Sequence, residues 1–161
     1  MKNIYLLPTD KLSRLRIGDN GNFVFGLMQS AIVSKNDFFT NHNIYITNDE
    51  EIKVGDFVYS KRGFIGKFGE FENSYFDECK KIILTDNEDL IKNGVQPIDD
   101  VFLEWFVENP SCEEVGVKLK QHFQADKLKR KNPLNGVYYS YKIIIPKVEP
   151  HQHANLNTKP K

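Results

Sequence analysis

Cysteine is scarce in this chain. Cys79 and Cys112 are the only two among 161 residues. That is too few for a disulfide framework, and they lack the CxxC spacing of zinc sites and redox motifs. They read as free thiols in a reducing compartment. Net charge is missing too: 22 Lys and Arg balance 22 Asp and Glu. This speaks against a protein built mainly to coat nucleic acid, whose footprint is basic overall. No apolar run approaches the roughly 18 residues that a membrane helix needs. Met1 to Leu7 is too short for a secretory signal before it meets Pro8 and Asp10. A soluble, cytoplasmic protein with no membrane partner is expected. Gly63, Gly66 and Gly69 do not form GxGxxG between a strand and a helix, and no GK[ST] follows, so a phosphate loop is not expected. Internal repeats and low-complexity blocks are absent.

What is present is apolar and aromatic. Forty per cent of residues are hydrophobic, with 12 Phe and 7 Tyr, enough for one core. Residues 1–146 read as a single α+β domain, and 147–161 as a polar, flexible C-terminal tail. Asn3 to Leu7 reads as a strand ending before Pro8. Pro8 to Arg16 is a polar connection in which Leu12 and Leu15 mark one helical turn. Gly18 to Gly21 is a turn. Strands are expected over Asn22 to Gln29 and Ala31 to Val33, then a polar, turn-rich stretch over Asn36 to Asn43. Ile44 to Thr47 is a strand with Ile44 and Ile46 on one face and Tyr45 on the other.

In Ile52 to Val58, Gly55 permits a tight bend and Asp56 can accept from the turn's own amides, as in small β-barrels. Phe57 to Tyr59 and Phe64 to Phe68 then form a hairpin with its tip at Lys61 to Gly63. Lys81 to Thr85 is the clearest strand, and one helical turn falls over Glu88 to Ile91. Pro97 to Glu108 is the main helix. Pro97 suits its first turn, Asp99 and Asp100 suit its positive end, and Pro110 stops it. Ile98, Phe102, Trp105 and Phe106 share one face, which Val101 and Leu103 widen; a face this apolar must lie on a sheet. Val115 to His122 and Gly136 to Ile145 are the last strands, flanking a charged loop. The expected fold class is α+β: a bent, mostly antiparallel sheet or partly open β-barrel with one main packed helix.

Residues that could carry chemistry have simpler explanations. His151 and His153 lie two apart without a third ligand, and His42 and His122 stand alone in polar segments, so no metal is expected. Cys112 follows the helix C-terminus, where the dipole disfavours a thiolate, so it reads as a structural thiol. Asp99, Asp100, Glu104, Glu113 and Glu114 fit capping and a solvated face better than acid–base pairs. No catalytic residue and no cofactor is assigned. Trp105, the sole tryptophan, reads as core. The best nucleic-acid candidate is the hairpin bearing Lys61, Arg62, Phe64, Lys67 and Phe68, where cations alternate with aromatics; an ordinary barrel hairpin explains them as well. Lys118, Lys120, Lys127, Lys129, Arg130 and Lys131 form a second basic set, which a charged strand edge that discourages aggregation also explains.

The blocks IYLLPTDKLSRL, IYITNDEEIKVGDFVY, KKIILTDNEDLIKNGVQPIDDVFLEWFVENPSCEEVGV and YKIIIPK resemble, in the same order, those of small proteins encoded by phages and prophages of Bacteroidetes-type bacteria. They cover more than half the chain; residues 18–43 and the basic loop near Lys127 depart most. That family carries no established activity, so the resemblance implies a setting, the cytoplasm of a bacterial host, and no site residue. The first expectation for function is a non-catalytic, phage-type accessory protein that binds a host or phage macromolecule, for example as a counter-defence factor. A protein partner is expected first, nucleic acid second, and a homo-oligomer is an open alternative. The second reading is a nucleic-acid-binding module using the 61–68 hairpin. The third is a nucleotide or small-ligand binder, or an enzyme, whose site forms only in the fold.

Overall fold

Ile44, Tyr45 and Ile46 are consecutive and all buried. Only a strand covered on both faces can achieve that, because neighbouring side chains point opposite ways. The computed structural model, which describes residues 2–18, 21–26, 40–70, 78–123 and 137–146, builds its sheet around this strand. The elements are β1 (Ile4–Pro8), β2 (Leu15–Ile17), β3 (Phe23–Phe25), β4 (Thr40–Asn48), β5 (Phe57–Ser60), β6 (Ile65–Lys67) and β7 (Cys79–Thr85). They continue with α1 (Glu88–Lys92), β8 (Gln96–Pro97), α2 (Asp100–Glu108), β9 (Gly116–Phe123) and β10 (Val137–Ile144).

Registers fix the layout. His42 of β4 pairs with Pro8 and with Leu15, and Tyr45 pairs with Tyr5 and with Thr85. β1 therefore follows one edge of β4, while β2 and β7 follow one another along the other. In β7, Lys81 pairs with Asn48 and Val58, and Leu84 with Ile46 and Gln96, so β5 and β8 share its far edge. β3 lies outside β2 and β6 outside β5. The β7–β8 pairing is parallel; these others are antiparallel. The α+β class and the bent, mostly antiparallel sheet are as expected, and the sheet is not closed into a barrel.

The bend is visible in one contact. Tyr5 and Tyr59 stack with ring centroids 4.0 Å apart, although β4 and β7 lie between their strands. A flat sheet would separate them by about 14 Å, three strand spacings. The curl divides the apolar residues into two clusters. Ile4, Ile44, Ile46, Ile83 and Leu84 meet Phe102, Leu103 and Phe106 of α2. Tyr45, Ile82 and Leu90 meet Tyr5, Leu7, Phe57 and Tyr59 on the opposite face. The register shift between Ile46 and Thr47 lets both Ile83 and Leu84 reach the α2 side.

Several local readings need correction. Leu12 and Leu15 do not share a helical turn: Leu15 is fully buried at the start of β2, while Leu12 is exposed. Asn41 to Asn43 are strand, not turn, because β1 and β2 flank them. Pro97 is not in the helix. It pairs with Thr85 at the sheet edge, where its missing N–H costs nothing, and Asp99 is the cap, accepting from the Phe102 N–H at 2.8 Å. Val101 faces solvent and Trp105 is half-buried, although Trp105 packs against the α2 cluster as expected. The expected strands over 27–29 and 31–33, the charged loop and the tail lie outside the described residues.

Phe102 is fully buried, between the sheet and Trp105 and Phe106. Phe102→Ala is expected to cost about 3–5 kcal/mol. Denaturant unfolding checks this; a loss below about 1 kcal/mol would show that α2 does not close the core.

Candidate functional site

The 61–68 hairpin forms as expected. Gly55 bends ahead of it at φ 96°, and Asp56 accepts from the Lys53 N–H at 2.8 Å. Two of its cations, however, already have local counter-charges. Lys61 lies 2.9 Å from Glu78, whose backbone sits in the left-handed region at φ 54°. Their hydrogen bond holds the lysine pKa up and the carboxyl pKa down. Lys67 reaches Glu70 and lies 5.5 Å over the Phe57 ring. Phe64 is half exposed at the tip. The structure thus brings Lys61, Arg62 and Phe64 to one end of a hairpin, with Lys67 turned back over Phe57 of β5.

A different element stands out. β9 and β10 form a two-stranded ribbon apart from the main sheet, with Val117 opposite Ile143, Leu119 opposite Tyr141 and Gln121 opposite Tyr139. Its root is held firmly. Val117, Tyr141, Ile143 and Ile145 pack on the α2 cluster. The Gln96 side chain donates to the Tyr141 carbonyl at 2.6 Å and accepts from its N–H at 2.8 Å. Asn3 makes the same pair of bonds with Val115, at 2.8 and 2.9 Å. The Tyr141 hydroxyl bonds Glu50, and burial together with that carboxylate pushes its pKa up to about 12.

Beyond the root the ribbon is open: Leu119 is 52% exposed, Tyr138 48% and Tyr139 62%. Alternation separates two faces. Leu119, Gln121 and Tyr139 continue the core-facing side. Lys118, Lys120, His122, Tyr138, Ser140 and Lys142 share the other. His122 is not isolated: its ring stacks on Tyr138 with centroids 4.8 Å apart and Nε2 meets the Ser140 hydroxyl. The alternation VKLKQH carried the signal for this surface. What the sequence hid was the register that sets Lys142 opposite Lys118.

Two of the hollows in the described surface bear on ligand binding. A half-open groove of about 530 Å³ runs between β5 and β8 beneath the ribbon, lined by Gly55, Lys81, Gly94, Gln96, Tyr139 and Tyr141 among others. Its polar groups are engaged, Lys81 with Glu50 and Asp56, and Gln96 with Tyr141. A second hollow, about 410 Å³, is lined by Ser13, Arg14, Asp86, Glu88 and Lys92. Cys112 points its thiol at the Glu114 carbonyl at 3.1 Å and packs on the core. His151 and His153 lie outside the described residues. Among the described residues no group of three His, Cys, Asp or Glu is arranged around a metal, and no helix is long and apolar enough to cross a membrane. No protein-family model, curated protein or solved structure matches the chain.

Among the described residues, Asp86 is the one strongly perturbed carboxyl that is also buried. Burial pushes its pKa up to about 6 against the opposing pull of the Ile44 N–H and Ser13. The Ser13 hydroxyl lies 2.6 Å from the His42 carbonyl, to which it donates, and 3.3 Å from Asp86. A protonated Asp86 can donate to that same hydroxyl, which completes the set. Between pH 4 and 6 the folded chain holds a proton that the unfolded chain has released, so stability falls as pH rises through that window. The full difference is about 3 kcal/mol from the 3.8-to-6 shift. Unfolding free energies of wild type and Asp86→Asn measured from pH 4 to 7 are expected to differ by a pH-dependent amount of that order, with the wild type losing ground above pH 4. Parallel curves would show that the buried carboxyl does not titrate there.

Proposed function

We propose that this chain is a non-catalytic accessory protein of the phage type, acting in the bacterial cytoplasm by docking onto a host or phage protein through the β9–β10 ribbon. Interference with a host defence system is one concrete form of that role. The observation that carries the reading is the ribbon itself. It has two strands, it is moored at its root, and it leaves Leu119, Tyr138 and Tyr139 in solvent. An isolated two-stranded hairpin is marginal in water. Leu119 and Tyr139 share one face of the ribbon, with Tyr138 and the lysines on the other, and exposed large apolar and aromatic side chains of this kind match the anatomy of protein contact surfaces. The resemblance to phage-encoded proteins supplies the setting. The counter-charges on Lys61 and Lys67 leave the 61–68 hairpin less suited to the role.

The test compares three baits in affinity capture from the bacterial host, with and without nuclease. They are wild type, Leu119→Ser with Tyr139→Ser, and Lys61→Glu with Arg62→Glu and Lys67→Glu. Thermal unfolding confirms that each is folded. A partner is expected with wild type and with the hairpin variant, resistant to nuclease, and lost with the ribbon variant. Retention by the ribbon variant and loss with the hairpin variant would transfer the site to β5–β6. Sedimentation of the purified chain reports whether a second copy takes the same surface.

A further inference from the structure

We propose that the outward face of the β9–β10 ribbon, formed by Lys118, Lys120, His122, Tyr138 and Lys142, binds a single-stranded nucleic acid. This rests on the ribbon being the docking element and names a second class of partner for its other face. Three observations support it. The first is charge. From Gly116 to Ile144 the sequence holds seven Lys and Arg and one carboxylate, Asp126, although the whole chain is neutral. The site itself is drawn from the paired strands alone. There Lys118 pairs with Lys142, and Lys120 sits opposite Ser140. Among the described residues none of the three lysines meets a carboxylate, unlike Lys61, Lys67, Lys80 and Lys81.

The second is crowding of like charge. Directly opposed like charges destabilise a strand pair. Lys142, and then Lys118, lower the pKa of Lys120. A bound polyanion removes the repulsion that this arrangement creates. The third is the aromatic pair. His122 and Tyr138 stack nearly parallel, 12° apart, in the same row as the lysines, and Tyr138 is half exposed. A flat ring beside phosphate-reaching cations is what unpaired bases use, since every base has a face to stack. Lys118 and Lys120 stand about 6.7 Å apart along the strand, comparable to the step between phosphates of an extended strand. A duplex keeps its base faces inside the helix, and an acidic peptide has no use for the ring pair. The aromatic pair therefore favours an unpaired strand.

Fluorescence anisotropy with labelled 12-nucleotide oligo-dT and a mixed-sequence RNA, from 50 to 300 mM NaCl, tests this. Salt-sensitive binding is expected, with a log–log slope near −2, from about 0.7 per phosphate contact and three lysines. Changing Lys118, Lys120 and Lys142 together to Glu should abolish it, and changing them to Gln should flatten the slope. Tyr138→Ala should weaken binding about tenfold, as loss of a stacking platform does. The Lys61, Arg62, Lys67 variant should bind as wild type. Absence of salt-sensitive binding overturns the proposal, as does equal binding by the Gln variant. So does tighter binding to a duplex with Tyr138→Ala silent, or competition by poly-glutamate at equal charge. If no oligonucleotide binds but Leu119→Ser with Tyr139→Ser still loses its protein partner, the ribbon remains a docking element and only the nucleic-acid assignment falls.

Discussion

β4 changes partners on one edge within its length, and the rest of the sheet depends on how that break is sealed. Pairing with β2 ends at His42 and pairing with β7 begins at Tyr45. The backbone groups between them are buried and must find other partners. The Ile44 N–H donates to the Asp86 carboxylate at 2.7 Å, and its carbonyl accepts from the Thr85 hydroxyl at 2.8 Å. Ser13 holds the β2 side of the same seam by bonding the His42 carbonyl. Three side chains thus stand in for a missing length of strand. The seam lets β2 and β3 lean over α2, where Phe23 meets Phe106 edge-on at 5.8 Å.

The same seam explains a buried carboxyl without catalysis. Asp86 lies in a hollow, and such perturbed groups often mark active sites. Here each contact is with structure: a strand amide, a serine that itself bonds the backbone, and the nearby Arg14, which is ion-paired to Asp100 at the start of α2. A carboxyl is used because its two oxygens can serve two elements at once.

Much of the core could be read from local pattern. The alternation Ile44–Tyr45–Ile46, the glycine bend before Phe57, the β-branched run of β7 and the apolar face of α2 all appear where propensity and burial agree. The misreadings share a cause, which is partners distant in sequence. Leu15 looks helical with Leu12 until β4 supplies a strand beside it. Pro97 looks like a helix start until Thr85 takes it into a parallel pair. Asn41 to Asn43 look like a turn because polarity at a sheet crossing resembles polarity in a loop. For the site, the alternating lysines of β9 were visible, but their grouping with Lys142 and Tyr138 depends on a register across a long connection. Asp86 gave no sequence signal, since a carboxyl filling a gap between strands looks like any loop aspartate.

Two side-chain amides, Asn3 and Gln96, each present a donor and an acceptor to the backbone at Val115 and Tyr141. In effect each is a strand one residue long. One grips the chain just before β9 and the other grips β10, so the ribbon is built in at its base like a cantilever and is not hung on a hinge. Its two faces therefore keep their bearing relative to the sheet. Any load on the paired strands passes through Gln96 into β8 and from there to β7.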